Sequence, residues 1–437
     1  MKRVLVVSYF YPPYSSVGAT RVSKMTKYLR DCGWEAHVLT VDQCDLPATL
    51  PIEVPLDAIT RAPQSFDLAS LPRTIVGRRR LATDRVLPVQ PKRWATLWRM
   101  GEAYRHLVCF PDGQIGWRRN AIARGIALAR EIKPDVILSS SLPNTSHLVA
   151  RAIAREAKVP WVAELRDLWT ENHNFRRVQP LRAIEKRLER KVLMDADALV
   201  TVSEVWAARL HAKYHRPTFV VPNGYDPTDY PSCPRVRDDA FTIVYTGMFY
   251  NGKQNVDPLF EAIRQLAGAG RITPDRFRVR FVGQYLGPIV ARADALGVTR
   301  FVQVDPPIPY RESLSLQCGA TVLLFLDWTD GVTQGWYSAK VYEYLGAARP
   351  ILSVGPYGSV VAELLLRTRA GTVATSADDV VRVLDGWLDE FERTRGVSYA
   401  PDEDVRRRFQ RQDAARVMSD VLDFAVRAGP AASPAAV

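Results

Sequence analysis

The chain has 437 residues, 47% of them apolar, and a formal charge of +12. That length is too great for one ordinary core, so two domains of about 200 residues each are expected. No run of 18 apolar residues occurs, which excludes a membrane-spanning helix, and the apolar start is too short for a secretory leader. The charge suits a polyanionic partner: nucleic acid, anionic lipid or a phosphorylated substrate. The five cysteines (Cys32, Cys44, Cys109, Cys233 and Cys318) have no paired spacing. They point to reduced thiols in the cytoplasm and away from a zinc site or disulfide framework.

The spacing predicts a first buried parallel strand over 4–9, a turn-rich loop over 11–19, a helix over 20–31 closed by Gly33, and a second strand over 36–41. This βαβ opening lacks the Gly-x-Gly-x-x-Gly dinucleotide fingerprint. Gly18 lets the loop backbone approach a ligand, or simply turns the chain. Residues 45–117 break the rhythm. They contain Arg78-Arg79-Arg80 and Lys92-Arg93-Trp94, with Trp98-Arg99 following. Cations among tryptophans fit an anionic membrane surface, single-stranded nucleic acid, or a solvated insertion whose indoles pack inward.

Alternation resumes with helices over 118–132, 145–157, 182–194 and 204–214. Strands are predicted over 135–139, 160–165, 198–202 and 218–221. In open parallel sheets ligands sit outside the carboxyl ends of strands, which places Ser140, His147, Arg166 and Asp167 at a candidate cleft. His147 also fits a packed or capping histidine, and Arg166-Asp167 an internal ion pair. Asp195-Ala196-Asp197 has paired-carboxylate spacing but lies at a strand start, on the wrong edge for a metal site.

The first domain is assigned to 1–225 and a linker to 226–240. A second βα series fills 241–403, an amphipathic helix over 404–427 is able to return to the first domain, and 428–437 form a disordered tail. Thr246-Gly247-Met248, followed by Gly252-Lys253, offers glycine-flanked backbone and one lysine to a phosphate, though it is too short for a Walker loop. Residues 339–347 form a helix capped by Ser338 or its neighbour, with Lys340 and Glu343 on one face of its first turns. A helix N-terminus and an ammonium suit a phosphate, and the carboxylate can take two bonds from a ribose diol. The same two residues also fit a solvated surface pair. The whole is an α/β chain of two doubly wound parallel-sheet domains facing across a cleft.

These residues resemble a known family. Tyr11-Pro12-Pro13, Pro111-Asp112-Gly113, Glu164-Leu165-Arg166-Asp167-Leu168-Trp169, Pro222-Asn223-Gly224 and the element from Lys340 to Ile351 follow the order seen in family-4-like glycosyltransferases. These are retaining enzymes of GT-B fold, and the Arg-Asp-x-Trp branch resembles those of bacterial surface-polysaccharide pathways. The resemblance covers residues 1 to about 425.

It implies transfer of a sugar from a nucleotide-diphosphate donor to a hydroxyl, with no cofactor and no metal. Lys253 would contact the donor diphosphate and Glu343 the ribose. Gly18 would approach the donor phosphates and acceptor, while Gly283 and Tyr310 would line the nucleobase site. Gly247, Ser338 and Lys340 complete the donor set; Tyr14, Ser140 and His147 fall on the acceptor side; Arg166, Asp167, Lys253 and Lys340 form the catalytic set. Three positions depart from the family pattern. Gly335 stands where its first glutamate is expected, Met248 replaces an arginine, and Arg166 replaces a histidine. Expected partners are a nucleotide sugar, a sugar or lipid-linked acceptor and an anionic membrane surface, not nucleic acid. The place is the cytoplasm or the inner face of the cell membrane. The alternatives are a nucleotide-sugar epimerase of the same fold and a non-catalytic polyanion-binding protein.

Overall fold

The computed structural model describes residues 1–65, 109–172, 177, 179–231, 239–329, 335 and 337–430. The Arg/Trp-rich segment over 78–99 lies outside them, as do 232–238 of the expected linker and 431–437 of the expected tail. The described residues divide into two compact units: one holds those up to Asn223 together with those from Arg411 onward, the other those between Gly224 and Gln410.

The first unit contains β1 (Lys2–Val7), α1 (Val17–Leu29), β2 (Trp34–Val41), β3 (Ile59–Ala62), α2 (Arg118–Ile132), β4 (Val136–Ser141), α3 (Thr145–Ala157), β5 (Trp161–Leu165), α4 (Leu181–Leu193), β6 (Ala198–Thr201), α5 (Glu204–Tyr214) and β7 (Thr218–Val220). Every pairing is parallel, in the order β3-β2-β1-β4-β5-β6-β7. Strands β4, β5 and β6 are buried along their whole length, as a sheet covered on both faces requires. The C-terminal helix Arg411–Ala428 packs Ala414, Ala415, Met418 and Leu422 in one core with Val22, Met25 and Leu29 of α1. Burying Met418 and Leu422 stabilises the unit by about 2 kcal/mol each.

The second unit contains β8 (Phe241–Met248), α6 (Asp257–Gly268), β9 (Phe277–Gln284), α7 (Gly287–Ala295), β10 (Val302–Asp305), α8 (Tyr310–Gly319), β11 (Val322–Leu326), α9 (Ala339–Ala347), β12 (Ile351–Val354), α10 (Val360–Thr368), β13 (Gly371–Ala374) and α11 (Ala377–Thr394). Its parallel order is β10-β9-β8-β11-β12-β13. Side chains alternate faces along β8: Ile243 and Tyr245 join a core with Phe260 and Leu384, whereas Val244 joins one with Tyr344 and Leu365.

Strand order reverses between β1 and β4 in one unit and between β8 and β11 in the other. Ligands in doubly wound sheets bind at the carboxyl side of such reversals, because the connecting loops diverge there and leave a crevice.

Several expectations need correcting. A third strand, β3, forms within the stretch that the sequence marks as irregular; it pairs Ile59 with Val38. Helix α1 starts at Val17, because the Ser16 side chain accepts from Ala19 N. Strand β8 runs on through Thr246 and Gly247 to Met248. The helix expected over 404–427 is two helices, Glu403–Arg407 in the second unit and Arg411–Ala428 in the first. Cys32 and Cys44 are free thiols, but Cys318 is disulfide-bonded. The expectation of wholly reduced thiols fails there, because spacing along the chain does not report proximity in space.

Candidate functional site

In the first unit, the β1 and β5 ends meet through Gly18 and Arg166. A β-carbon on Gly18 would stand 2.1 Å from Arg166 Nη1. Arg166 donates from Nε to the Ser141 carbonyl and from Nη2 to that of Leu142, the latter at 2.9 Å. The guanidinium thus stitches the end of β4 to that of β5, beneath the N-terminus of α1. Asp167 follows, partly buried; burial lifts its carboxyl to about pKa 6 against the pull of Arg166.

Beneath this rim lies a buried polar network. Arg21 Nη2 meets Glu164 Oε1 at 2.7 Å, with side chains 1% and 3% exposed. Arg21 also donates to the carbonyls of Val221 (2.7 Å) and Pro222 (2.8 Å) and to Asn223 Oδ1 (3.1 Å). Ser140 Oγ donates to Glu164 Oε2 at 2.5 Å. Burial pushes the Glu164 carboxyl up, but Arg21, then Ser140 and Arg166, outweigh it and the net shift is downward. Sequence reasoning gave Arg21 no role. The available signal was Glu164, a carboxylate inside an otherwise apolar strand, which implies a buried cation.

The residues expected on the acceptor side are differently employed. Ser140 is buried and committed to Glu164. His147 is fully buried, with Nδ1 2.8 Å from Ser139 Oγ, and burial lowers its pKa to about 3. It is a neutral packing group between Trp161 and Trp169. The Tyr14 hydroxyl donates to the Asp42 carbonyl at 2.9 Å, tying the β1 loop to the β2 loop. Asp112 of the Pro-Asp-Gly motif caps α3, accepting from Thr145 N (2.8 Å) and Oγ1 (2.7 Å). Asp195 pairs with Arg151 and Arg155, and Asp197 accepts from Trp161 N. Both carboxylates are spent structurally.

In the second unit, Lys340, Gly247 and Glu343 cluster where β8 and β11 end. Gly247 has φ +105°, and a β-carbon there would lie 3.2 Å from Lys340 Cε. The Lys340 stem rests on that bare backbone, with Nζ 3.5 Å from the centroid of the Tyr245 ring. Burial lowers the ammonium pKa to about 7, although Glu343 opposes the shift. Ser338 caps α9, its hydroxyl 3.4 Å from Lys340 N.

Glu343 is held by Gln317, which is fully buried and donates to Glu343 Oε2 (3.2 Å) and Thr246 Oγ1 (3.0 Å). Tyr230 donates to the Glu343 carbonyl at 2.8 Å and packs on Gly346, where a β-carbon would meet its hydroxyl at 2.3 Å. Neither Gln317 nor Tyr230 is legible in a linear motif. Gly283 pairs with Gly247, and a β-carbon on it would clash with the Gly247 carbonyl at 1.9 Å. Lys253 lies after β8 with Nζ 4.1 Å from the Trp328 ring centroid, and the Tyr310 hydroxyl donates to Asp229 Oδ2 at 3.4 Å. Gly335, at φ +91°, offers no side chain at the position of the missing glutamate.

Residues 18–224 match the family described as glycosyl transferase 4-like domain. No curated protein matches the chain by sequence. Among solved structures, HepE from Anabaena in complex with UDP is similar over 97% of this chain and 100% of its own, at 13% identity and a TM-score of 0.62. Sucrose-phosphate synthase from Thermosynechococcus elongatus covers 98% and 100% at 13% identity, with a TM-score of 0.63. The lipopolysaccharide outer core galactosyltransferase WaaB covers 98% and 99% at 13% identity, with a TM-score of 0.55. At such identities the likeness is one of fold. Residues 18–224 match a glycosyl transferase 4-like domain, and the chain as a whole has the two-sheet fold of these glycosyltransferase structures.

Proposed function

We propose that this enzyme moves a sugar, with retention, from a nucleotide-diphosphate donor to a hydroxyl of a growing polysaccharide or glycolipid. The observation that carries the reading is the cluster of Lys340 on Gly247 with Glu343 one turn later, at the strand reversal of the second unit. In glycosyl transfer the bond from the sugar to the diphosphate breaks, and its electron pair goes to the phosphate oxygen. Lys340, Lys253 and the positive end of the α9 dipole stabilise that charge. Glu343, aimed by Gln317, accepts from the ribose hydroxyls.

The acceptor oxygen forms the new bond on the face the diphosphate leaves, and its proton passes to the departing phosphate. No protein nucleophile is consumed. The charge stabilisation comes from side chains and backbone, and both carboxylates of Asp195-Ala196-Asp197 are engaged elsewhere; these support a reaction without metal. Gly18, Arg166 and Asp167 serve the acceptor and the transferring sugar. The charge of +12 supports a peripheral seat on an anionic membrane.

HepE has been solved with UDP and with UDP-glucose, so uridine nucleotides head the screen. A thermal-shift series against nucleotides and nucleotide sugars should raise the melting temperature for one base, since a ligand that binds only the folded state stabilises it by mass action. Lys253→Ala and Glu343→Ala should abolish that shift while the proteins stay folded. No shift with any nucleotide, or unaltered turnover in both variants, overturns the reading.

A further inference from the structure

Lys340 and Lys253 come from different elements, yet each ammonium faces an aromatic ring. Lys340 Nζ stands 3.5 Å from the centroid of Tyr245, and Lys253 Nζ 4.1 Å from that of Trp328. The other cation–ring contacts among the described residues are longer, from 4.9 to 5.5 Å. Three of those, Lys27 on Tyr28, Lys213 on Tyr214 and Arg300 on Phe301, join chain neighbours. Tyr245 and Trp328 lie far along the chain from the lysines they meet, so the fold itself brings each pair together.

Both rings are fixed. Tyr245 is fully buried and Trp328 is 3% exposed. Gln254 ties them into one frame. The Tyr245 hydroxyl donates to the Met248 carbonyl at 2.7 Å and lies 3.3 Å from Gln254 Oε1. Gln254 Nε2 donates to the Leu326 carbonyl at 2.6 Å, just before Trp328, and Thr329 N donates to the Lys253 carbonyl at 2.8 Å. The Tyr250 ring packs on Trp328 with centroids 5.2 Å apart. The ends of β8 and β11 are therefore locked together around the two rings.

A lysine ammonium is strongly hydrated and rides on a flexible stem. Stripping its water and holding it still both count against binding. A π-face attracts the charge from one side and leaves N–H donors for an oxygen on the other. Burial works against the Lys340 charge, so the attraction of a ring counts for most there.

We infer that Tyr245 and Trp328 are positioning residues for transfer: each holds one ammonium aimed and partly dehydrated before the donor arrives, and keeps it while the diphosphate binds. The inference rests on the donor reading above.

The test places mono-, di- and trifluorotryptophan at position 328, which drain π-density from the face while nearly keeping its shape, beside Trp328→Phe and Trp328→Leu. At position 245 it compares Tyr245→Phe with pentafluorophenylalanine. UDP, GDP, ADP and base-free pyrophosphate are titrated into each protein and into Glu343→Gln. Pyrophosphate and the best nucleoside diphosphate should weaken together, stepwise with fluorination, reaching about tenfold in Trp328→Leu. Trp328→Phe should recover a large part, and pentafluorophenylalanine at 245 should bind more weakly than Tyr245→Phe. A ring that only packs would leave affinity level across the fluorinated series; that result, beside a nucleotide loss in Glu343→Gln, overturns the positioning role alone. Tighter binding on fluorination overturns it too, since the lysine would then have to leave the ring to reach the phosphate. A wild type that binds none of the three nucleotides overturns the donor reading and this inference together.

Discussion

Gly18 and Arg166 occupy space that admits no β-carbon: one built on Gly18 would lie 2.1 Å from Nη1 and 2.6 Å from Nη2 of the arginine. The glycine is therefore there for close approach, its backbone serving as the floor on which the guanidinium lies. Gly18→Ala must push Arg166 off the Ser141 and Leu142 carbonyls. Because the displaced group is the end of a long side chain, the fold should survive, with a loss of about 1 kcal/mol for the hydrogen bonds disturbed. Transfer should fall at least tenfold. Steady-state rates beside a melting curve check it; unchanged turnover would remove Arg166 from the working site.

Lys340 makes donor binding pH-dependent. Its ammonium titrates near pH 7 in the unliganded protein, held down by burial. A diphosphate favours the charged form, so binding above pH 7 takes up a proton and affinity falls as pH rises from 7 to about 9. The terminal phosphate of the nucleotide is already ionised in that window, its pKa lying near about 6, and adds no opposing trend. For stability the sign reverses. Between about pH 7 and 10 the unfolded chain holds a proton that the folded one has released, so stability rises with pH. Nucleotide titrations from about pH 6.5 to about 9 should show the fall in wild type and a flat, weaker profile in Lys340→Met.

The strands were readable from the sequence because buried parallel strands are short apolar runs between turn signals, as in β4, β6 and β12. The second-unit cluster was readable for a related reason: Lys340 and Glu343 share one helix, so their spacing in sequence fixes their spacing in space. The first-unit rim was less legible. Ser140 lies in β4 and His147 in the helix after it, yet period-two alternation does not say that Glu164 will claim the one or Ser139 the other. Gln317 reaches Glu343 from another helix, and no local pattern encodes that contact. Strand β3 was missed because it is four residues long and only its last is buried.

Asp167 carries a carboxyl held near pKa 6, above its ordinary 3.8, because burial penalises the charge more than Arg166 relieves it. A raised acid favours folding below the unfolded pKa, and that contribution disappears as pH climbs through 6. At neutral pH the ionised group therefore destabilises the fold. Asp167→Asn should raise stability at pH 7 by on the order of 2 kcal/mol and change little at pH 4. Transfer should fall by tenfold or more if the carboxylate orients the acceptor or sugar. A variant that is more stable and fully active would leave Asp167 without a part in catalysis.

Arg21 tests the network beneath the rim. Its guanidinium satisfies Glu164 and reaches three residues, Val221, Pro222 and Asn223, immediately before the second unit begins. Arg21→Met leaves a carboxylate 3% exposed without its cation, an arrangement that costs about 3–5 kcal/mol. Arg21→Met with Glu164→Leu removes both charges and should recover a large part of that loss, since an apolar replacement of a buried pair is often close to neutral. Urea unfolding of the two variants separates the contributions. Recovery in the double variant assigns the loss to the stranded charge. A double variant as unstable as the single one assigns it instead to the unpaired carbonyls of Val221 and Pro222, which makes the guanidinium chiefly an anchor for the chain leaving the first unit.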